Sequence, residues 1–143
     1  RMKINVRSES GRLPAYKTEG AAGMDIHAYL DEPVTLQPGE RALIATGLYI
    51  EIPEGYEGQV RARSGLSVNY GIGLVNGVGT IDSDYRGEVK VALINWGQDS
   101  YTIKDGDRIA QLVVGRFEKV VWEEEENLSE TRRSRGGFGH TGK

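Results

Sequence analysis

The residues with the clearest chemical potential fall in a few short stretches. Arg63-Ser64-Gly65-Leu66-Ser67 sets a guanidinium, a hydroxyl and a bare backbone together, at a point where a strand is expected to give way to a helix. Unpaired N–H groups at such a point, with an arginine and an O–H donor, suit an anion. A plain helix cap beside a surface arginine would use the same residues. No G-x-x-x-x-G-K-[ST] phosphate loop occurs anywhere in the chain, so any grip on phosphate must be built differently.

The densest stretch runs Asn76-Gly77-Val78-Gly79-Thr80-Ile81-Asp82-Ser83-Asp84-Tyr85-Arg86-Gly87-Glu88. Its glycines let backbone N–H and C=O groups approach a ligand closely, and Tyr85 offers a flat ring three positions after Asp82. A half-buried Asp82 beside a bound phosphate can act as a general base on water. The alternative is a hairpin turn in which Asp82 and Asp84 bond their own backbone. Gly87 and Glu88 fall at the wrong offsets for a calcium loop. In Ala22-Gly23-Met24-Asp25-Ile26-His27-Ala28 a carboxylate stands among apolar neighbours. An unpaired buried charge is costly, so Asp25 is expected to meet an arginine or a hydrated metal, or else to anchor a loop. In Gly106-Asp107-Arg108-Ile109-Ala110-Gln111-Leu112 the glutamine amide is either a satisfied core group or one that orients water. The only histidines, His27 and His140, are read as non-ligands.

These side chains need a scaffold, and the pattern around them is all-β. Runs rich in β-branched and aromatic residues recur between turn signals, predicting strands over Lys3–Arg7, Val34–Gln37, Arg41–Ile52, Gly58–Arg63, Gly73–Val75, Glu88–Trp96, Tyr101–Lys104, Ile109–Arg116 and Glu118–Glu123. One helical turn is expected, Ser64–Tyr70, capped by Ser64 and packing Leu66, Val68 and Tyr70 inward. The chain has 143 residues, 38% hydrophobic and 27% charged, which bounds it to one domain with an ordinary core. It has no cysteine, which excludes disulfides, thiol nucleophiles and cysteine-ligated metals. A net charge of −3 argues against non-specific nucleic-acid binding. No run approaches the roughly 20 apolar residues of a membrane span, and no apolar signal region opens the chain, so a cytoplasmic location is expected, or a nuclear one in a eukaryotic or viral setting. Glycine, at 20 residues, is present at about twice its usual share of ~7%.

From Glu123 the composition shifts to a run of four consecutive glutamates, then three arginines, then Gly136-Gly137-Phe138-Gly139-His140-Thr141-Gly142. The division expected is a domain over 1–122 and an arm over 123–143 that cannot form a core. It is either a disordered terminus or, given the lone phenylalanine among glycines, a lid. Thirteen residues from Glu123 to Arg135 reach up to about 40 Å if extended, enough to close over a distant site or a neighbouring subunit.

In order and spacing, Ala22–Ala28, Ala62–Ser67, Gly77–Glu88, Asp105–Leu112 and Arg133–Gly142 resemble the five motifs of the homotrimeric deoxyuridine triphosphatases. The likeness runs from Lys3 to Lys143. It implies a jelly-roll-like β-barrel with one short helix and a mobile C-terminal arm, assembled as a homotrimer whose three sites each draw on all three chains. The implied reaction converts dUTP and water to dUMP and diphosphate with Mg²⁺, limiting uracil in DNA and supplying dUMP for thymidylate synthesis. Carried over residue by residue, Asp82 activates the water that attacks the α-phosphorus and Gln111 helps to position water and phosphate. Asp25 stands on the metal side through water, the ion being held mainly by the triphosphate. Arg63, Ser64 and Gly65 grip phosphates. Asn76, the main chain of Gly79, Thr80 and Ile81, and the main chain near Lys90 read the uracil edge, while Tyr85 lies under the deoxyribose and excludes a 2′-hydroxyl. Arg133 and Thr141 meet the γ-phosphate, and Phe138 with Gly139 covers the base. Ser134 and Arg135 depart from the family pattern, which has glycine directly after the arginine. A dCTP deaminase shares the barrel but needs a further acid/base group, and a non-catalytic regulator would have no need of both Asp82 and Gln111.

Overall fold

The computed structural model describes residues 1–142. Eleven strands and one helix follow one another as β1 (Asn5–Ser8), β2 (Ala15–Tyr16), β3 (Met24–His27), β4 (Val34–Leu36), β5 (Arg41–Glu51), β6 (Tyr56–Arg61), α1 (Ser64–Tyr70), β7 (Ile72–Leu74), β8 (Gly79–Ile81), β9 (Val89–Asn95), β10 (Tyr101–Ile103) and β11 (Arg108–Arg116). They form a jelly-roll-like barrel of antiparallel pairs. One sheet has the order β1-β5-β9-β7, a second β2-β3-β11-β6-β8, and β10 pairs with β4 in a short third ribbon.

Alternation along the strands decides which side chains enter. Ile44 from β5, Val91 and Leu93 from β9, Val60 from β6, Ile26 from β3 and Leu112 from β11 meet in one core, each under 5% exposed. Burying such a side chain contributes about 1.5–3 kcal/mol relative to leaving it in water. The one fully buried amide, Asn95, is completely paired. Its Nδ2 donates to the carbonyls of Leu36 and Asp99 at 2.9 and 2.8 Å, and its Oδ1 accepts from the Gly97 N–H at 2.8 Å. Asn95 thereby pins the ribbon of β4 to the end of β9.

The helix spans the predicted residues, but two details differ. Arg63, in extended conformation, is the N-cap and no side chain caps the first turn, so the Ser64 hydroxyl remains unspent. Only Leu66 packs inward. Val68 and Tyr70 are 83% and 54% exposed, because a two-turn helix laid on a barrel has room for one inward residue. The helix ends at Gly71, whose φ of +73° is the left-handed C-cap that lets its N–H reach the carbonyls of Leu66 and Ser67.

The largest correction is at Glu118–Glu123. No strand forms there: β11 ends at Arg116, and Val121 and Trp122 are 93% and 87% exposed. The run has strand composition but finds no sheet edge to pair with in this chain. Conversely, β2, β3 and β8 form where no strand was expected. All three are short, and β8 begins at a glycine, so local propensity gives little warning.

Candidate active site

Two clusters of functional side chains are built on the five-stranded sheet. The first lies where β8 approaches β9. β8 pairs with β6 through Gly58↔Ile81, Gln59↔Thr80 and Val60↔Gly79, and its other edge has no partner strand. Backbone N–H and C=O groups that do not bond β6 therefore point outward along that edge, as a donor–acceptor pattern that a planar base edge can match. Beside it is a concavity of about 330 Å³. Asn76, Gly79, Thr80, Ile81, Asp82, Tyr85 and Lys90 all line it, so seven of the residues singled out from sequence meet in one pocket. Leu43, Val60, Glu88 and Val89 complete the wall. Of these, Leu43 had no local signal: it arrives from β5 through the pairing of β5 with β9, a long-range contact.

The loop from β8 to β9 fixes the pocket's polar side. The Tyr85 N–H donates to the Asp82 carbonyl at 3.2 Å, and the Tyr85 hydroxyl donates to the Glu88 carbonyl at 2.7 Å, which sets the ring's orientation. Asp82 is exposed in the single chain, not half-buried. Turn geometry places it on the rim, where nothing from the same chain covers it. Neither Asp82 nor Asp84 bonds its own backbone, and among the described residues the Asp82 carboxylate has no hydrogen bond or ion pair, leaving its lone pairs for solvent or ligand.

The second cluster lies across β3, β11 and the strand-to-helix junction. Register pairs Gln111 with Asp25 on one side and Arg61 on the other, so Asp25 and Gln111 share the outer face. Asp25 is only 20% exposed at its side chain and meets the arginine that its burial demanded. Arg63 Nε lies 3.4 Å from Oδ1, and Arg108 Nη1 lies 3.4 Å from Oδ2. Arg63 Nη1 donates in turn to the Arg108 carbonyl at 3.1 Å. Gln111 Nε2 donates to the Ala62 carbonyl at 3.0 Å, so its amide is partly spent on holding the end of β6, while its Oε1 accepts no hydrogen bond among the described residues. Arg108 was missed from sequence, although a cation three residues before Gln111 in a strand that must pass Asp25 was the available signal. Ser64 and Gly65 are exposed at the start of α1, adjoining this cluster.

What holds the cluster is a clamp on the turn before β11. Arg12 forms a two-pronged pair with Asp105, at 3.1 and 2.8 Å, and also donates to the Ala28 carbonyl at 3.2 Å. The Leu30 N–H donates to Asp105 at 3.0 Å. Arg12 and the Leu30 amide together hold the Asp105 carboxyl down at about 2. His27, on the strand that carries Asp25, is pushed below its usual range, first by burial and then by the cation Arg12.

The arm joins neither cluster. Arg133 Nε donates to the Gly136 carbonyl at 2.6 Å, successive turns close at Gly136, His140 and Gly142, and no hydrogen bond links residues 123–142 to the barrel. Arg133, Phe138, Gly139 and Thr141 are all exposed. No three carboxylates or imidazoles converge on a metal-sized site among the described residues.

A family model described as dUTPase matches residues 9–142. This chain belongs to the dUTPase family. A curated relative from Finegoldia magna, named deoxyuridine 5′-triphosphate nucleotidohydrolase, is 54% identical over 99% of both chains. Among solved structures, a variant of the Staphylococcus bacteriophage 80alpha dUTPase with dUpNHpp superposes at a TM-score of 0.88, with 28% identity over 98% of each chain. A variant dUTPase from phage phi11 of S. aureus, described as showing the coordination of a structural Mg(II) ion, superposes at 0.79. It is 28% identical and covers 90% of this chain and 100% of its own.

Proposed function

We propose that this protein hydrolyses dUTP to dUMP and diphosphate. The observation that carries the reading is the 330 Å³ pocket, which brings an unpaired backbone edge, a fixed tyrosine ring and an unpaired aspartate together in one place. Uracil offers alternating acceptors and a donor, and the open edge of β8 with Asn76 supplies the complement. A site built on hydrogen bonds rejects a mismatched base by roughly 10⁴-fold or more. Tyr85, held by the Glu88 carbonyl, supports the deoxyribose and leaves no space for a 2′-hydroxyl. The main chain near Lys90 completes the pocket wall.

Asp82 accepts a proton from water as the water oxygen bonds to the α-phosphorus. The bridging oxygen between the α- and β-phosphorus atoms leaves with diphosphate. Arg63, the unspent Ser64 hydroxyl and the Gly65 N–H grip the phosphate chain, and Gln111 orients water and phosphate with its free Oε1. The donor set fits Mg²⁺ carried on the triphosphate, because no three protein ligands converge among the described residues, Asp25 stands beside Arg63, and Mg²⁺ keeps most of its waters. Bound there, the ion would neutralise phosphate charge and fix the chain for in-line attack.

The pocket of Asp82 and the cluster of Arg63 are separate in one chain, and the arm touches neither. By its likeness to the homotrimeric deoxyuridine triphosphatases, the enzyme is on this reading a homotrimer in which one chain supplies the pocket, another the phosphate cluster, and a third the arm, with Arg133 and Thr141 on the γ-phosphate and Phe138 and Gly139 over the base. In the proposed division into a domain of 1–122 and an arm of 123–143, whose last residue lies outside the described residues, the exposed Val121 and Trp122 follow the last strand and are read as belonging against a neighbouring copy. A soluble nucleotide substrate points to the cytoplasm as its place of action. Incubation with dUTP, dTTP, dCTP or UTP plus Mg²⁺, scoring diphosphate and ammonia, tests the reading. Diphosphate from dUTP alone is expected. Ammonia from dCTP, or no turnover of any nucleotide, overturns it.

A further inference from the structure

We infer that Gly23 is a positioning residue for Gln111: its missing side chain is the space in which the catalytic carboxamide sits. The inference rests on the role proposed for Gln111. Gly23 stands just before β3, two residues from Asp25 and so on the same outer face, while Asp25 lies opposite Gln111 in the register with β11. Gly23 is thus the diagonal cross-strand neighbour of Gln111. A Cβ built on Gly23 would overlap Gln111 Oε1, and would lie 3.0 Å from its Cδ and 3.3 Å from its Cβ.

The backbone gives no other reason for glycine here. Gly23 does not occupy the positive-φ region, unlike Gly71 or Gly77, so an alanine fits its dihedral angles. The demand for glycine is one of space, and a single side chain creates it. Gln111 leans across the strand toward Gly23 while its Nε2 donates to the Ala62 carbonyl at 3.0 Å. The carboxamide therefore bridges β3 and the end of β6, immediately ahead of Arg63. With a methyl group at position 23 the end of the Gln111 side chain must shift, carrying Oε1 off the position from which it orients water. A displacement near 1 Å costs about 10²-fold in rate for an otherwise intact site.

The test is a double-variant cycle on the full chain with dUTP and Mg²⁺. Gly23→Ala, Gln111→Ala and the two combined are compared for kcat, KM and thermal midpoint. Gly23→Ala should lower kcat by about 10–100-fold with KM within threefold of wild type. The combined variant should turn over within about twofold of Gln111→Ala, since both changes remove the same positioned group. It should also melt at or above Gly23→Ala, because truncating Gln111 removes the clash. That comparison decides the matter even where Gly23→Ala folds poorly. Wild-type kcat in Gly23→Ala, a combined loss equal to the product of the two single losses, or a combined variant that melts below Gly23→Ala each overturns the inference. Should Gln111→Ala itself turn over at the wild-type rate, the catalytic reading of Gln111 fails first, and the dependent inference falls with it.

Discussion

Replacing Asp25 by asparagine removes one negative charge from between two cations while keeping the shape of the side chain. Its oxygens each lie 3.4 Å from a guanidinium nitrogen, one on Arg63 and one on Arg108. At that distance and an effective dielectric of 20, each contact represents roughly 5 kcal/mol of Coulomb attraction before desolvation and screening are subtracted. The side chains are 20%, 24% and 40% exposed, between the surface pairs that contribute about 0–1 kcal/mol and the buried ones that cost about 3–5 kcal/mol to break. The expected loss is about 1–3 kcal/mol, a fall in thermal midpoint of roughly 3–10 °C for a domain of this size. The asparagine amide also sets a donor against a donor, so Arg63 turns out of its fork and a further loss of about tenfold or more in kcat/KM should follow from misplaced phosphate contacts. Calorimetry and a diphosphate-release assay read the two effects separately. An Asp25→Asn protein that melts within 1 °C of wild type and retains its kcat/KM would show that Asp25 neither restrains Arg63 nor stabilises the junction.

The remaining expectations are more direct. Asp82→Asn should abolish turnover while dUTP still binds in a titration, and should leave stability within about 0.5 kcal/mol because the side chain is exposed; unchanged turnover sinks its role as the base. Removing Glu130–Lys143 should leave the barrel's melting profile intact and the activity poor, so near-normal activity counts against the arm as a lid. Asp105 has its folded value lowered to about 2 from 3.8, first by Arg12. Stability from this pair is present above the unfolded value and is lost as pH falls from about 4 through about 2. An Asp105→Asn variant melted across that window should show a flatter pH dependence than wild type, and an identical slope would refute the clamp's contribution.

What could be read from the chain was mostly what the backbone repeats. β5 alternates clearly enough that its span is expected within a residue, and Ser64–Tyr70 is placed correctly as a helix although, of the cap at Ser64 and the three inward residues expected of it, only Leu66 packs inward. The pocket was legible because Asn76–Glu88 brings most of its own walls, and a contiguous stretch carries its geometry with it. Arg108 and Leu43 are not legible as site residues, since strand pairing brings Arg108 to a carboxylate 83 residues away and brings Leu43 in from a separate sheet. The strand expected at Glu118–Glu123 fails for a related reason: composition can state that a segment prefers to be extended, but only an available edge makes it a strand.

The arm shows how the parts of the proposed site could be coupled. Arg133 is already held, but by the carbonyl of Gly136, three residues along its own chain. Ser134 and Phe138 both adopt φ near +48°, a region ordinarily left to glycine, and Thr131 secures Ser134 by accepting from its N–H at Oγ1 and from its hydroxyl at the main-chain oxygen, both at 2.9 Å. These local turns reduce the number of conformations that closure must remove, which lowers its entropic cost. They also keep Arg133 turned inward until a stronger acceptor is present. A γ-phosphate is such an acceptor, since a charge-assisted bond to an anion outcompetes a bond to a neutral carbonyl. Phe138, fully exposed in the single chain, gains burial on the proposed reading when a base lies beneath it. On the proposed reading the arm closes when both ends of the nucleotide are in place, so that discrimination between dUTP and dUMP follows from the exchange of one hydrogen bond at Arg133.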